Sequence, residues 1–385
     1  MSLELSRQKK RILIVGPLPP PYHGVAVMTR WLADGLKKKE GFQFVHLNTQ
    51  DPKKNKDFGR LTLRNGWQAV RFIFVLLRHL TGERIDVVYV PISQNFWGFA
   101  RDGIFILISG LLFRRKVVIH LHGGYFKRFF EKASVLGKGY IKFVFRYVDR
   151  GIVLGYCLKH VLEDVLPEGR IDVVYNGIDA KQFERLHPER QHNDRFKVLY
   201  AGVLREAKGF FDVIKAISEV KRKLPDISVS IAGRWEDEEM RNRTAAYIRD
   251  NDLEQNIELT GVVTGDQKTE LFKRSDVLVL PSRHQEGQPV SILEAMAAGL
   301  PVISTNTGSI SEMIIDRQNG FIVPSSSPSD IAEKITFLAE NRHLSRKMGL
   351  INQKRIGEKF TLDQFVDGVV GTIEKVSSGD RRGDT

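Results

Sequence analysis

The sequence predicts an α/β protein built as two doubly wound, parallel-sheet domains in tandem. Three observations carry that expectation. Short β-branched and apolar runs alternate with longer stretches of helical period along most of the 385 residues. The strand runs are apolar throughout rather than alternating with polar residues, as in parallel strands covered on both faces. The alternation pauses at a polar, charge-rich stretch, 187–195, and then restarts. A composition of 42% hydrophobic and 27% charged residues suits folded domains, and at roughly 150 residues per domain the length allows two or three.

Taken in order, 11–16, 42–47, 86–91, 116–121, 151–154 and 171–175 read as strands, with helical segments such as 25–36 and 66–80 between them. The stretch at 187–195 reads as a linker. Beyond it, 196–201, 227–232, 256–260, 276–280 and 301–304 repeat the scheme. Residues 361–376 have helical character after the second domain is complete, and 377–385 form a polar, glycine-containing tail. The basic N-terminus is followed by an apolar run, 12–15, too short for a signal-peptide core. The longest candidate span, 103–113, is well short of the ~20 residues a membrane-crossing helix needs. The expectation is a cytoplasmic protein that meets a membrane at most at its surface. The single Cys157 excludes an internal disulfide framework and an all-cysteine metal site.

In open parallel sheets, ligands lie beyond the carboxyl ends of strands, where backbone amides and helix N-termini point outward. Three junctions suit this. Gly16-Pro-Leu-Pro-Pro-Pro-Tyr-His-Gly24 leads into a helix, and Gly24 permits close approach of a ligand at its start. The same residues also suit a plain rigid turn, and their spacing is not the Gly-x-Gly-x-x-Gly of nicotinamide binding. In Ala201-Gly-Val-Leu-Arg-Glu-Ala-Lys-Gly209, Lys208 lies at a helix start within reach of a phosphate, or is solvated. The Walker pattern is missing there, which disfavours ordinary NTP hydrolysis.

The third junction is Leu280-Pro-Ser-Arg-His-Gln-Glu-Gly-Gln-Pro-Val290, followed by a helix that Gly299 and Pro301 end. Pro289 suits the first helical position. Amides around Gly287, Gln288 and Val290 form a small anion site. Glu286 stands just before the helix and Glu294 on it. Helix neighbours Ile292, Leu293, Ala295, Met296 and Ala297 are apolar all round, so an unpaired Glu294 is costly. A carboxylate so placed can accept both hydroxyl protons of a vicinal diol.

This stretch resembles the Glu-x7-Glu motif of the retaining glycosyltransferases of family four, with Glu286 and Glu294 as its glutamates. The likeness extends from Ile-Glu-Leu-Thr-Gly261 through Ser275-Asp-Val-Leu-Val-Leu-Pro-Ser282 to Asn319-Gly-Phe-Ile-Val, and includes Asn176-Gly-Ile-Asp179 earlier in the chain. It implies the GT-B fold, with two Rossmann-like domains facing a central cleft. The expected division is an acceptor-binding domain at 1–190, a nucleotide-sugar-binding domain at 191–358, a helix at 359–376 packing back on the first domain, and a flexible tail at 377–385. The implied reaction moves a sugar from a UDP- or GDP-linked donor with retention. Such enzymes act in cell-surface polysaccharide or glycolipid synthesis.

By the resemblance, Glu294 holds the ribose hydroxyls and Glu286 contacts the donor sugar. Gly287, Gln288, Pro289, Val290 and Gly24 line the donor, and Lys208 stabilises the leaving diphosphate where other enzymes use a metal. No cofactor beyond the co-substrate is expected, and no Asp-x-Asp metal motif appears. The acid run Glu236-Asp-Glu-Glu239 reads better as a solvated helix start. One position departs from the family: Val203 stands where an arginine is common, and Arg205 is the candidate substitute. His120-Leu-His-Gly-Gly124 resembles the family's histidine segment, which implies that His122 faces the donor sugar. His120 and His122 are also spaced like a metal pair, but without a third ligand, and like core histidines.

Charge separates the halves. Of the formal +13, residues 1–190 carry 32 Lys/Arg against 17 Asp/Glu, and the rest of the chain is nearly balanced. An anionic partner is implied for the first half, nucleic acid or membrane. The excess is focused on 122–150, where Lys127, Arg128, Lys132, Lys138, Lys142, Arg146 and Arg150 face only Glu131 and Asp149. Lys138, Lys142, Arg146 and Arg150 recur every four residues as a helical stripe. Tyr140, Phe143 and Tyr147 border it, opposite an apolar face of Ile141, Val144, Phe145 and Val148. That pattern suits a helix lying on an anionic membrane, with Lys127, Arg128, Lys138, Lys142 and Arg146 as contacts. A helix whose aromatics are all core is the plainer alternative.

The expectation is therefore a peripheral protein on the inner face of the plasma membrane, taking a lipid-linked or glycan acceptor and no nucleic acid. Its rivals are a GT-B sugar-nucleotide epimerase, a non-catalytic sugar-nucleotide binder and a nucleic-acid-binding protein. The last leaves the two glutamates unexplained.

Overall fold

The computed structural model describes residues 9–50, 63–183 and 195–378, with 63–69 as backbone alone. Residues 187–194 of the expected linker and 379–385 of the expected tail lie outside the described residues. The chain divides into two compact units, one of Met1–Asn176 with Leu362–Thr385, the other of Gly177–Thr361.

The first unit holds β1 (Lys10–Gly16), β2 (Phe42–Asn48), β3 (Val87–Pro91), β4 (Lys116–Leu121), β5 (Arg150–Val153) and β6 (Ile171–Val173). They form one sheet in the order β2-β1-β3-β4-β5-β6, with every pairing parallel. Its helices are α1 (Gly24–Leu36), α2 (Leu63–Gly82), α3 (Phe96–Leu107), α4 (Phe126–Lys132) and α5 (Val135–Phe145).

The second unit holds β7 (Lys197–Ala201), β8 (Ser228–Ala232), β9 (Ile257–Gly261), β10 (Val277–Leu280), β11 (Val302–Thr305) and β12 (Gly320–Val323), in the order β12-β11-β10-β7-β8-β9 and again all parallel. Its helices are α6 (Phe210–Val220), α7 (Glu238–Asp250), α8 (Gly265–Lys273), α9 (Val290–Ala297), α10 (Ile310–Met313), α11 (Pro328–Glu340) and α12 (Arg342–Lys359). The chain then re-enters the first unit as α13 (Leu362–Ser377).

Continuous apolar strands produce these sheets because helices cover both faces. Leu13, Ile14, Val88, Val90, Val117, Ile119, Val279 and Ile303 are all fully buried. Strand β12 is the element the strand pattern does not single out. Several helices begin at residues that satisfy their first amides: Asn95 Oδ1 accepts from Gly98 N at 2.9 Å, and Asp237 Oδ1 from Met240 N at 2.8 Å. The acid run 236–239 is thus the capped start of α7.

Helix α13 buries Phe365, Val366, Val369, Val370 and Ile373, and packs on α1, β4 and β5. Lys375 Nζ reaches Asp172 Oδ1 at 2.7 Å, and Lys39 pairs with Asp367. Where the chain leaves and re-enters the first unit, the two segments run together, with Ile178 N–H donating to the Phe360 carbonyl at 2.9 Å. Among the described residues no helix is long and apolar enough to cross a membrane.

Candidate active site

The second sheet grows in two directions from its centre. From β7 the chain runs outward to β8 and β9, then crosses back to β10 and runs the other way to β11 and β12. The neighbours β7 and β10 therefore flank the switch point, where loops leave the carboxyl ends of adjacent strands in opposite directions and open a ligand crevice. Lys208 comes from the loop after β7 and Glu286 from the loop after β10.

These two side chains meet. Lys208 Nζ is 2.5 Å from Glu286 Oε1, and Ser282 Oγ donates to the same oxygen at 2.6 Å. Beneath them lies the phenol of Tyr200, which donates to the Val203 carbonyl at 3.0 Å. Burial first, and the charge of Glu286 second, push that phenol well above its ordinary range, while Arg205 pulls it down. Arg205 thus shares this neighbourhood, from the cap of the 3-10 turn at Glu206–Lys208.

The loop carrying Glu286 is pinned on several sides. Arg283 forks onto Asp212 of α6 at 2.9 and 2.6 Å, and Thr305 Oγ1 donates to the Ser282 carbonyl at 2.5 Å. Ser309 Oγ donates to the Gly287 carbonyl at 2.7 Å. At Gly308, φ is +57° and a Cβ would stand 1.8 Å from the Glu286 carbonyl oxygen, so only glycine lets the chain pass there. Gly287 and Gln288 are buried, and Pro289 and Val290 partly so, at the start of α9. Pro289 stands at the cap of α9, not at its first helical position as the sequence suggests, and the helix begins at Val290.

Glu294 lies one turn into α9 and is buried. Lys268 of α8 reaches its Oε1 at 2.5 Å, and Oε2 has no hydrogen-bond partner among the described residues. Burial pushes the Glu294 carboxyl above the usual carboxylate range, and Lys268 opposes that shift. Lys268, Ser282 and Tyr200 are site residues that sequence reasoning missed. Ser282 lies inside the Leu-Pro-Ser run and was open to notice. Nothing in the spacing of Lys268 ties it to a helix 26 residues away.

In the first unit, Gly24 opens α1, and His23 Nδ1 accepts from Ala26 N at 3.3 Å to cap it. His122 follows β4 and stacks on His120 with ring centroids 3.9 Å apart. His120 is the core histidine of the two, its Nδ1 2.6 Å from the buried Tyr89 hydroxyl. Neither ring nitrogen of His122 has a hydrogen-bond partner among the described residues. Burial, and next the charge of His23, push His122 down to about 3, so the ring is neutral. Among the described residues no three His, Cys, Asp or Glu side chains gather in a way that could hold a metal ion.

The basic segment divides between elements. Lys138 and Lys142 lie on α5, with Arg146 at its end, and Lys127 and Arg128 on α4. Arg150 does not continue the stripe: it opens β5 and forks onto Asp172 at 2.6 and 3.2 Å. Tyr140 does not border it either, since its hydroxyl donates inward to the Ala100 carbonyl at 3.1 Å. Ile141, Val144, Phe145 and Val148 are buried. The first turn of α5 presents two apolar side chains, Val135 and Leu136, at 88% and 87% exposure.

Family comparison agrees with this architecture. Residues 15–182 match the model described as Glycosyltransferase Family 4, and residues 182–355 match Glycosyl transferases group 1. An uncharacterized glycosyltransferase of Methanocaldococcus jannaschii is 29% identical over 364 residues, covering 92% of this chain and 96% of its own. The capsular polysaccharide biosynthesis glycosyltransferase CapM of Staphylococcus aureus is 26% identical over 243 residues, 59% of this chain and 63% of its own.

Among solved structures, a glycosyltransferase from Rickettsia africae superposes with a TM-score of 0.78 at 18% identity, covering 97% of this chain and 100% of that one. HepE of Anabaena, solved with UDP and glucose, gives 0.74 at 17%, covering 95% and 100%. The fold is therefore GT-B and the protein is a glycosyltransferase. Its type is that of family 4 with a group 1 second domain.

Proposed function

We propose that this protein transfers a sugar from a UDP- or GDP-linked donor to a lipid-linked glycan acceptor, with retention of anomeric configuration and without a metal ion. The work would be done on the inner face of the plasma membrane, in the synthesis of a cell-surface polysaccharide or glycolipid. The observation that carries this reading is the Lys208–Glu286 pair at the switch point, with Glu294 one turn into the helix that follows.

In this reading Lys208 and Arg205 take the diphosphate. A cation at the leaving oxygens stabilises the charge that grows there as the sugar departs. Buried Gly287 and Gln288, with Pro289 and Val290, bring the α9 N-terminus to the donor, and Gly24 has the same role at α1. Glu286 contacts the donor sugar, and Glu294 accepts from the ribose hydroxyls. His122 has a role in transfer as a neutral hydrogen-bonding group. No cofactor beyond the co-substrate is invoked, because two cations already face the diphosphate position.

A membrane partner is supported by the surface of the first unit. Lys127 and Arg128 on α4, Lys138 and Lys142 on α5 and Arg146 at the end of α5 belong to the same pair of helices as the exposed Val135 and Leu136, so cations and apolar side chains occur on neighbouring elements. That combination suits an anionic leaflet better than nucleic acid, which gains nothing from the apolar side chains. The names of CapM and of HepE's bound UDP agree with a polysaccharide product and a uridine donor.

The test is a thermal-shift panel of UDP, GDP, ADP and their sugars, followed by transfer to a lipid-linked acceptor and assignment of the new anomeric centre. Selective stabilisation by one nucleoside diphosphate identifies the donor. Donor turnover without any acceptor would point to the epimerase instead.

A further inference from the structure

We propose that Lys268 is a positioning residue for the donor nucleotide, clamping Oε1 of Glu294 so that Oε2 stands ready for a ribose hydroxyl. The inference rests on the reading of Glu294 as the ribose contact.

Glu294 is buried on α9 between Leu293 and Ala295, where a carboxylate lacks solvent. One of its oxygens receives the Lys268 ammonium at 2.5 Å, and the other is buried without a partner among the described residues. A buried acceptor left open in an otherwise satisfied site is expensive, and it is kept where a ligand completes it. A carboxylate only accepts, so the completing group must be a donor, and a neutral hydroxyl fits beside the lysine. Each carboxylate oxygen has two lone pairs. Lys268 and a second hydroxyl of a vicinal diol can therefore share Oε1 while the first takes Oε2.

Lys268 is suited to this by its own setting. It comes from α8, its ammonium lies 6.0 Å from the Phe272 ring centroid, and its side chain is one-third exposed. The other acids and bases near α9 leave the role to it. Asp266 and Glu270 on α8 are exposed, α12 meets α9 through the uncharged Gln353, and the 3-10 turn at Ala180–Phe183 brings only the exposed Lys181. Of all these, Lys268 alone acts on the Glu294 carboxyl. Without it, burial would favour the protonated acid, which is a poorer acceptor for a diol.

The experiment measures calorimetric affinity of the full chain for UDP, GDP and their 2′-deoxy forms between pH 6 and 8. The variants are Lys268→Gln, Lys268→Arg, Glu294→Gln and the Lys268→Gln/Glu294→Gln double. Melting curves of each check folding, and the arginine variant keeps the charge should the glutamine variant fail to fold.

With the nucleotide that binds, Lys268→Gln should weaken affinity about tenfold at pH 7, and more as pH falls, whereas wild type stays nearly flat. The double variant should be no worse than Glu294→Gln alone, arginine should restore most of the loss, and the penalty should shrink on the 2′-deoxy ligand. A Lys268→Gln protein that folds and binds like wild type while Glu294→Gln fails to, or a Lys268→Arg protein that binds no better than Glu294→Gln, has the opposite meaning: the clamp is wrong and the ribose contact stands. Wild-type affinity in Glu294→Gln overturns the ribose contact itself. A Lys268→Gln penalty equal at every pH and on the deoxy ligand overturns the clamp as well.

Discussion

Lys208 Nζ and Glu286 Oε1 stand 2.5 Å apart, one from each strand end at the point where the second sheet reverses. Both are shielded, with side-chain exposures of 20% and 13%. A donor diphosphate that takes Lys208 must therefore draw it partly from Glu286, which frees that carboxylate for the sugar. The loss of Lys208 is expected to cost roughly 10²–10³ in turnover, the range for one transition-state charge contact. Lys208→Met should show this in kcat with the donor saturating. Glu286→Ala should hold the nucleotide within a few-fold of wild type yet transfer poorly; normal transfer by that variant would remove Glu286 from the chemistry.

Gly308 offers a purely steric test of the same loop. Gly308→Ala sets a methyl against the Glu286 carbonyl oxygen at a positive φ, a strain of roughly 1–3 kcal/mol. A lowered melting temperature together with reduced turnover is expected. Unchanged turnover would mean that the backbone at Glu286 can move without consequence.

His122 supplies a pH prediction. In the fold its pKa is pushed down to about 3, against 6.5 in the unfolded chain. The unfolded state thus binds a proton between those values that the folded state does not, so the stabilising term is full above 6.5 and fades as pH drops toward 3. The slope is about 1.4 kcal/mol per pH unit within that window. His122→Asn cannot take up the proton, so its melting temperature should fall less steeply than wild type between pH 7.5 and 5. Parallel curves would contradict the burial.

The membrane contact proposed for the first unit can be tested by liposome flotation. At about 1 kcal/mol per cation near an anionic leaflet, replacing Lys138, Lys142 and Arg146 by Ser should weaken binding by roughly two decades. Val135→Asp with Leu136→Asp should abolish what remains at high salt, where charge is screened and only apolar insertion persists. Equal recovery on neutral and anionic vesicles would sink the electrostatic part.

Much of this was legible in the residues. Eleven of the strands announced themselves as apolar runs because parallel strands are buried on both faces. Strand β12, Gly320–Val323, was not among them, and its length does not explain that, since β5, β10 and β11 are as short. The loop after β10 was readable through Gly, Pro and Glu, whose conformational roles are local. Lys268 was not, because an ion pair between α8 and α9 exists only after both have packed on the sheet. Arg150 misled for a related reason: a repeat of four presumes one continuous helix, and α5 ends at Phe145, whereas Tyr140 lies within α5 and turns inward because α3 offers its hydroxyl the Ala100 carbonyl.

The return of α13 to the first unit has a consequence for how the protein is made. Because Leu362–Ser377 supplies an apolar face to α1, β4 and β5, those three elements lack that cover until all of Gly177–Thr361 has been synthesised. The second unit is one uninterrupted stretch of chain and can complete its sheet first. Maturation should therefore run opposite to sequence order.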